Sequence, residues 1–274
     1  MSSWHDHIGR ETGAKARLDS DLVARFAATL GDAGVAVDPA ALPLGIHWCV
    51  GVETVPTLAL GPDGHPPKGG FLPPVPLPRR MWAGGSLELL RPLAVGQEIE
   101  RRSTIADVSE KAGKSGALVF VTVAHEIWAE GHPAIRERQD IVYRSADPTA
   151  PPPAGLPDAE APAAGGDRIL PDSRLLFRYS ALTFNSHRIH YDLPYARDEE
   201  NYPALVVHGP LQATLLAARA AVALGRPLHS FRYRGQAPAF AGRPLSFVAE
   251  PDAGGGVTVT SRQFGKICMQ AQAT

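Results

Sequence analysis

Asn185, His187 and His190 fall within six residues of one another in the stretch YSALTFNSHRIHYDLPYARDEENYPALVVHGPLQATLLAARAAVALG, residues 179 to 225. An imidazole is the side chain best suited to take and return a proton near neutral pH, since its unperturbed pKa is about 6.5. A carboxamide can hold a water or a carbonyl by hydrogen bonds but cannot exchange a proton. His190 therefore reads as a general base or as a core histidine bonded to a carbonyl. Asn185 reads as a water-positioning group or as a turn residue, and His187 as an active-site, packing or solvated residue. The His187-x-x-His190 spacing would suit two metal ligands, but no third is evident, and no metal is expected. Asp192, two residues after His190, reads as structural.

These side chains need an element to hold them, and the chain supplies one directly downstream. From Gly209 to Leu224 the sequence is polar only at Gln212, Thr214 and Arg219. A helix apolar nearly all round is a buried helix. Gly209-Pro210 marks its start and Gly225 its stop. Sixteen residues span about 24 Å, too short and too Ala-rich for a membrane span. The free N–H groups of its first turn point toward the His/Asn loop, and the Gly209 N–H lies where a ligand can approach the backbone. His208, just before the helix, is a structural cap or a proton carrier.

Ahead of this, Asp19-Ser20-Asp21 and the stripe Leu22, Val23, Phe26, Ala27 and Leu30 predict a helix with Asp19 as N-cap, closed by Gly31. Residues 35 to 47 read as loop. Residues 61 to 78 hold seven prolines and four glycines, so neither helix nor central strand is possible. Phe71, Leu72, Val75 and Leu77 make that run too apolar for a free linker, and it is expected to pack as a fixed loop. The period then becomes two: 86–90, 98–108, 117–128 and 135–143 predict four strands in an antiparallel meander. Asp147 to Gly166, rich in Ala, Pro and Gly, marks a linker. A short strand is expected at 175–180, and further strands at 229–236, 244–249, 257–264 and 267–273.

The halves repeat. RPLAVGQEI (91–99) aligns with APAFAGRPL (237–245), pairing Pro92 with Pro238 and Gly96 with Gly242, and GALVFVTVAHEI (116–127) matches GVTVTSRQFGKI (256–267) in pattern. The reading is two domains, 1–146 and 169–274, joined by a linker at 147–168. Each is one antiparallel sheet wrapped round one helix. In the first the proline run takes the helix's place, which would leave a groove.

A formal net charge of −1 over 274 residues, with 44% hydrophobic and 20% charged, describes an ordinary globular chain and excludes a basic nucleic-acid footprint. Two cysteines, Cys49 and Cys268, lack partner spacing, so a disulfide framework is not expected. The start of the chain shows no signal pattern. A cytoplasmic protein without membrane or nucleic-acid partners is the expectation.

A sheet wrapped round a central helix behind a His-bearing loop resembles the hot-dog fold, an α+β architecture. The whole chain resembles the double-hot-dog, MaoC-like enoyl-CoA hydratases and 3-hydroxyacyl-thioester dehydratases. YSALTFNSHRIHYDLPYA and VVHGPLQATLLA are most similar to the mesaconyl-C4-CoA and itaconyl-CoA hydratase group and to mitochondrial-type hydroxyacyl-thioester dehydratases, and PPVPLPRRMWAGGSLELLRP (73–92) supports the same subgroup more weakly. The family motif runs Asp-x-Asn-Pro-x-His. With His190 on its His, Asn185 stands where Asp is usual, His187 where Asn is usual and Arg188 where Pro is usual.

The resemblance implies an acyl-CoA substrate with no cofactor, His190 as acid–base catalyst, and the Gly209 amide as oxyanion donor. Asn185 and His187 complete the expected catalytic set. Arg188, Tyr191, His208, Arg232 and Arg234 are the expected substrate-binding residues, although solvated arginines are an equal reading. The fatty-acid dehydratases and a non-catalytic acyl-CoA-binding subunit remain the alternatives. A thioesterase is disfavoured because 209–224 holds no Asp or Glu. A homo-oligomer is expected from an open sheet edge.

Overall fold

The structure is a computed structural model that describes residues 3–113, 116–145, 153–157 and 167–274. Five strands come from the first half of the chain: β1 (Glu11–Arg17), β2 (Arg79–Leu89), β3 (Glu98–Gly113), β4 (Gly116–Ala129) and β5 (His132–Arg144). Five more follow: β6 (Arg168–Ile169), β7 (Ser230–Gly235), β8 (Leu245–Pro251), β9 (Val257–Gln263) and β10 (Lys266–Ala273). All ten lie in one sheet in the order β1-β3-β4-β5-β2-β7-β10-β9-β8-β6. The halves have the same internal order and meet where β2 pairs antiparallel with β7.

Two sequence expectations change here. The first-half strands are not a simple meander: β3, β4 and β5 are consecutive neighbours, but β2 pairs with β5 and β7. The two sheets are also continuous rather than separate. The expected linker falls mostly outside the described residues, and its last residue, Arg168, already pairs with Ser246.

Among the described residues four α-helices accompany the sheet: α1 (Ser20–Leu30), α2 (Ser173–Leu182), α3 (Leu193–Asp198) and α4 (Gly209–Leu224). The Asp19 carboxylate caps α1 by accepting from the Leu22 N–H, as expected. The strand predicted at 175–180 is instead the middle of α2. Asp172 caps that helix at the Leu175 N–H, and Leu176, Tyr179 and Leu182 are buried at helical spacing. The internal repeat explains it, because LDSDLV (18–23) and PDSRLL (171–176) each place Asp-Ser within three residues of the end of an edge strand.

α4 is the central helix. It packs on β8, β9 and β10 and reaches β2 and β7. Leu211, Leu215 and Leu216 are fully buried, each contributing about 1.5–3 kcal/mol of apolar burial, an upper estimate. The helix's three polar side chains are all satisfied: Gln212 accepts from Ser261 Oγ, Thr214 donates to the Pro210 carbonyl, and Arg219 forks onto Asp167. Among the described residues no helix is long and apolar enough to cross a membrane.

In the first half the place of a second central helix is filled rather than left as an open groove. Val75, with Phe71, Leu72 and Leu77, packs on the inner face of the sheet against Ile105, Val119, Val121 and Tyr143. The short turn Ile46–Cys49 fills the rest: Trp48 Nε1 donates to the buried Glu137 carboxylate at 3.0 Å, and His47 lies 3.4 Å from it.

Candidate active site

Residues 183 to 192 leave α2, turn sharply, and bring His190 beneath the start of α4. Phe184 takes a left-handed conformation (φ 50°) at the exit from the helix. Asn185 then closes a side-chain turn, its Oδ1 accepting from the His187 N–H at 3.0 Å. Of the two readings of Asn185, the turn is the one its carbonyl oxygen serves. Asp192 caps α3 through the Tyr195 N–H and takes both Nε and Nη2 of Arg188 at 3.0 and 2.8 Å.

His190 is buried, and its Nδ1 meets the Val206 carbonyl at 2.7 Å. A carbonyl can only accept, so Nδ1 carries the proton and Nε2 the lone pair. Val206 is itself fixed by its N–H to the Ile189 carbonyl, which locks the segment before α4 alongside the histidine loop. His208 stacks on His190 with ring centroids 3.6 Å apart and bonds Ser180 Oγ through Nε2. It occupies the N-cap position of α4 yet makes no side-chain cap, so the cap expected of it is not formed. It is also fully buried against His190.

The first turn of α4 thus keeps its N–H groups free of any side-chain cap, at the positive end of a 16-residue helix. Gly209 is half-buried there. A Cβ on it would lie 2.7 Å from Trp82 Cε3, so the glycine lets β2 close onto the helix start.

The residues sequence reading missed lie in the proline-rich run. The turn Pro62–His65 docks directly onto the histidine loop. The Arg188 N–H donates to the Asp63 carbonyl at 2.9 Å, Arg188 Nη1 donates to the Pro62 carbonyl at 2.9 Å, and Ser186 Oγ donates to the Gly64 carbonyl. Asp63 accepts from both the Nδ1 and the backbone N–H of His65, each at 3.0 Å. The His65 ring packs on His187 at 4.1 Å, and His187 meets His190 edge-on at 5.5 Å. The signal was Pro-Asp-Gly-His, a turn sequence with two chemistry-bearing side chains.

Burial pushes His190 down to about 4, only partly offset by its bond to Val206. Burial likewise depresses His187 to about 2, with the nearby His65 adding to it, and holds His208 well below the usual imidazole value. His65 is also lowered by burial, but Asp63 opposes the shift. Burial alone would raise Asp63; the His65 hydrogen bonds and the Arg80 charge outweigh it and hold the carboxyl well below the usual range. Arg80 stands opposite Tyr143 in the β2–β5 register, so both side chains point to the face that the proline-rich run covers.

The expected arginines do not converge on this cluster. Arg188 is bound to Asp192 and Pro62 and lies over the Tyr195 ring. Arg232 and Arg234 are exposed on β7, while the alternate residues Phe231 and Tyr233 face the core. Tyr191 is half exposed and donates to the Ser186 carbonyl. Asp63, His65 and His187 each offer one donor atom within 4.8 Å of the others, a set that includes His187 but not His190. Arg80 and Lys68 bring positive charge to the same place, which disfavours a divalent cation there.

Comparison with known proteins agrees with this architecture. The repeated halves, the continuous sheet and the central helix define a double hot-dog protein. A conserved hypothetical protein of Mycobacterium tuberculosis, described as having a double hotdog fold, superposes with a TM-score of 0.59 at 14% identity over 99% of this chain and 97% of its own. A MaoC-like dehydratase superposes with a TM-score of 0.71 at 16% identity, covering 99% and 98%. The profile of the family described as hydroxyacyl-thioester dehydratase type 2 matches residues 45–241. The chain belongs to that family. It is 44% identical over 257 residues to a mesaconyl-C(4)-CoA hydratase of Chloroflexus aurantiacus, covering 92% of this chain and 91% of the relative.

Proposed function

We propose that this protein is a hydro-lyase that reversibly adds water across the double bond of an enoyl-CoA, with mesaconyl-C4-CoA as its substrate. The observation that carries the reading is the placing of His190, its Nδ1 proton fixed on Val206, beside the uncapped start of α4 at Gly209. Hydration needs a base for the water proton, an acid for Cα, and a donor for the enolate that forms on the thioester oxygen. His190 Nε2 takes the water proton as the oxygen bonds to Cβ, and the imidazolium returns it to Cα. The Gly209 N–H, aided by the helix dipole, stabilises the thioester oxygen. A buried, neutral His190 is ready to accept a proton throughout the neutral range.

The choice of acyl group rests on the 44% identical relative. Arg80 and Lys68 beside the His65–His187 pair suit an acyl chain that bears a free carboxylate. The test is loss of enoyl-thioester absorbance across a panel of acyl-CoAs. Turnover of mesaconyl-C4-CoA supports the proposal, and turnover of linear enoyl-CoAs alone moves the protein to the fatty-acid dehydratases. Binding without turnover removes the enzyme reading.

A further inference from the structure

Strand β2 carries one extra residue against its neighbour, and that residue decides which of its side chains face the start of α4. Trp82 pairs with Ile141 and Gly84 with Asp140, so Ala83 is left over as a β-bulge. Past the bulge, Gly85 lies against the Tyr233 ring and Leu87 is buried in the core. Strict alternation from those two would point Ala83 and Met81 inward and turn Trp82 and Arg80 outward. The bulge shifts the phase by one residue, and Trp82 and Arg80 face inward instead, opposite Ile141 and Tyr143. Trp82 closes onto Gly209, where a Cβ would meet its Cε3 at 2.7 Å. Arg80 is the next residue on that face, about 6–7 Å further along the strand. Its charge reaches Asp63, His65 and His187.

We infer that Arg80 recognises the free carboxylate of the acyl chain and so decides which esters the site accepts. This rests on the hydro-lyase reading and narrows its specificity to one side chain. Three carbon–carbon bonds, about 4 Å end to end, separate the thioester carbon of a mesaconyl-C4 ester from its free carboxylate. With the thioester oxygen on the Gly209 N–H, that span covers most of the step from Trp82 to Arg80, and the long guanidinium stem covers the rest. The neighbours leave Arg80 unengaged. Asp63 accepts from Nδ1 and the N–H of His65. Lys68, the other cation here, donates to the Leu77 carbonyl and lies over the Tyr143 ring. Among the described residues Arg80 has no ion pair. The Tyr143 hydroxyl opposite it is buried and lacks a hydrogen bond of normal geometry. A half-buried guanidinium and an orphaned hydroxyl on one face form a receptor that a carboxylate completes. A neutral acyl chain leaves both groups unmatched, and an unmatched polar site rejects the analogue.

The test compares the full-length wild type with Arg80→Met and Arg80→Lys on two esters. One is mesaconyl-C4-CoA; the other is 3-methylcrotonyl-CoA, in which a methyl replaces the free carboxylate. For each, kcat and KM are measured (or an inhibition constant where the ester is not turned over), together with the urea unfolding midpoint. Arg80→Met should lose about 10- to 10²-fold in kcat/KM on mesaconyl-C4-CoA, mostly through KM, as expected for a charged hydrogen bond made before and during the reaction. The neutral ester should bind the variant no more weakly than the wild type. Arg80→Lys keeps the charge without the fork and should shift the same ratio by a smaller factor; it decides the matter if Arg80→Met does not fold. A structural role would lower the midpoint and weaken both esters alike, and that result overturns the inference, as does unchanged selectivity in folded variants. A wild type that handles the two esters equally well also overturns it, while leaving the hydro-lyase reading intact. A wild-type protein that hydrates no enoyl-CoA overturns both.

Discussion

Replacing Gly64 by alanine tests whether the two halves of the chain build the site together. Two costs can be separated. Holding a residue with a Cβ in the left-handed region costs about 1–2 kcal/mol, and Gly64 sits there with φ +86°. The new methyl would also lie 1.9 Å from the Ser186 carbonyl oxygen, and overpacking of this kind adds about 1–3 kcal/mol. Gly69 provides the control. Its φ is +93°, but its Cβ would meet only Pro74 Cβ at an ordinary 3.5 Å, so Gly69→Ala carries the conformational cost alone. Urea unfolding should therefore show Gly64→Ala less stable than Gly69→Ala by about 1–3 kcal/mol. Hydratase activity should fall in the first variant and persist in the second, because the 62–65 turn must lift off the histidine loop. Equal stabilities and equal activities for the two variants would refute the docking argument.

Other outcomes follow from the same geometry. Gly209→Ala drives a methyl to 2.7 Å from Trp82 Cε3, and should cost about 1–3 kcal/mol in unfolding together with a fall in kcat. Acid should also weaken the fold. His190 and His187 lie at about 4 and about 2, below the ordinary 6.5, so the unfolded chain binds protons that the folded one excludes. Their contribution is complete above pH 6.5 and declines by about 1.4 kcal/mol per pH unit per histidine as the pH falls. Denaturant unfolding at pH 7, 6 and 5 should show the decline, with a shallower slope in His190→Gln; a flat wild-type profile would contradict it. Finally, β1 and β6 are the edge strands of the sheet, and self-association through such an edge predicts a light-scattering mass at least twice the monomer's.

Much of this architecture was legible in the letters, and what was not has definite causes. The Gly209–Leu224 helix could be read because an apolar surface all round leaves only burial. The long strands β3 to β5 could be read from their period of two. The paired loops were readable too: Gly96 and Gly242 both take left-handed conformations (φ +91° and +79°) just before β3 and β8. α2 was misjudged because 175–180 alone is too short to separate a helix from a strand. The signal lay upstream, in an Asp-Ser pair that repeats the start of α1. His190 and Gly209 were found through a local motif and a helix start. Asp63 and His65 escaped because their partner, His187, is more than a hundred residues away along the chain. Spacing reports neighbours along an element, not a loop that folds back from the other half. The arginines lie apart from the cluster for another reason: alternation in β7 puts Arg232 and Arg234 on the exposed face once Phe231 and Tyr233 claim the core.

The most direct test of the central claim compares wild type with His190→Ala on mesaconyl-C4-CoA, following enoyl-thioester absorbance at neutral pH. The account predicts turnover by the wild type and a loss of at least about 10²-fold in kcat for the variant, as expected of a general base. Wild-type rates from a folded His190→Ala protein would contradict it.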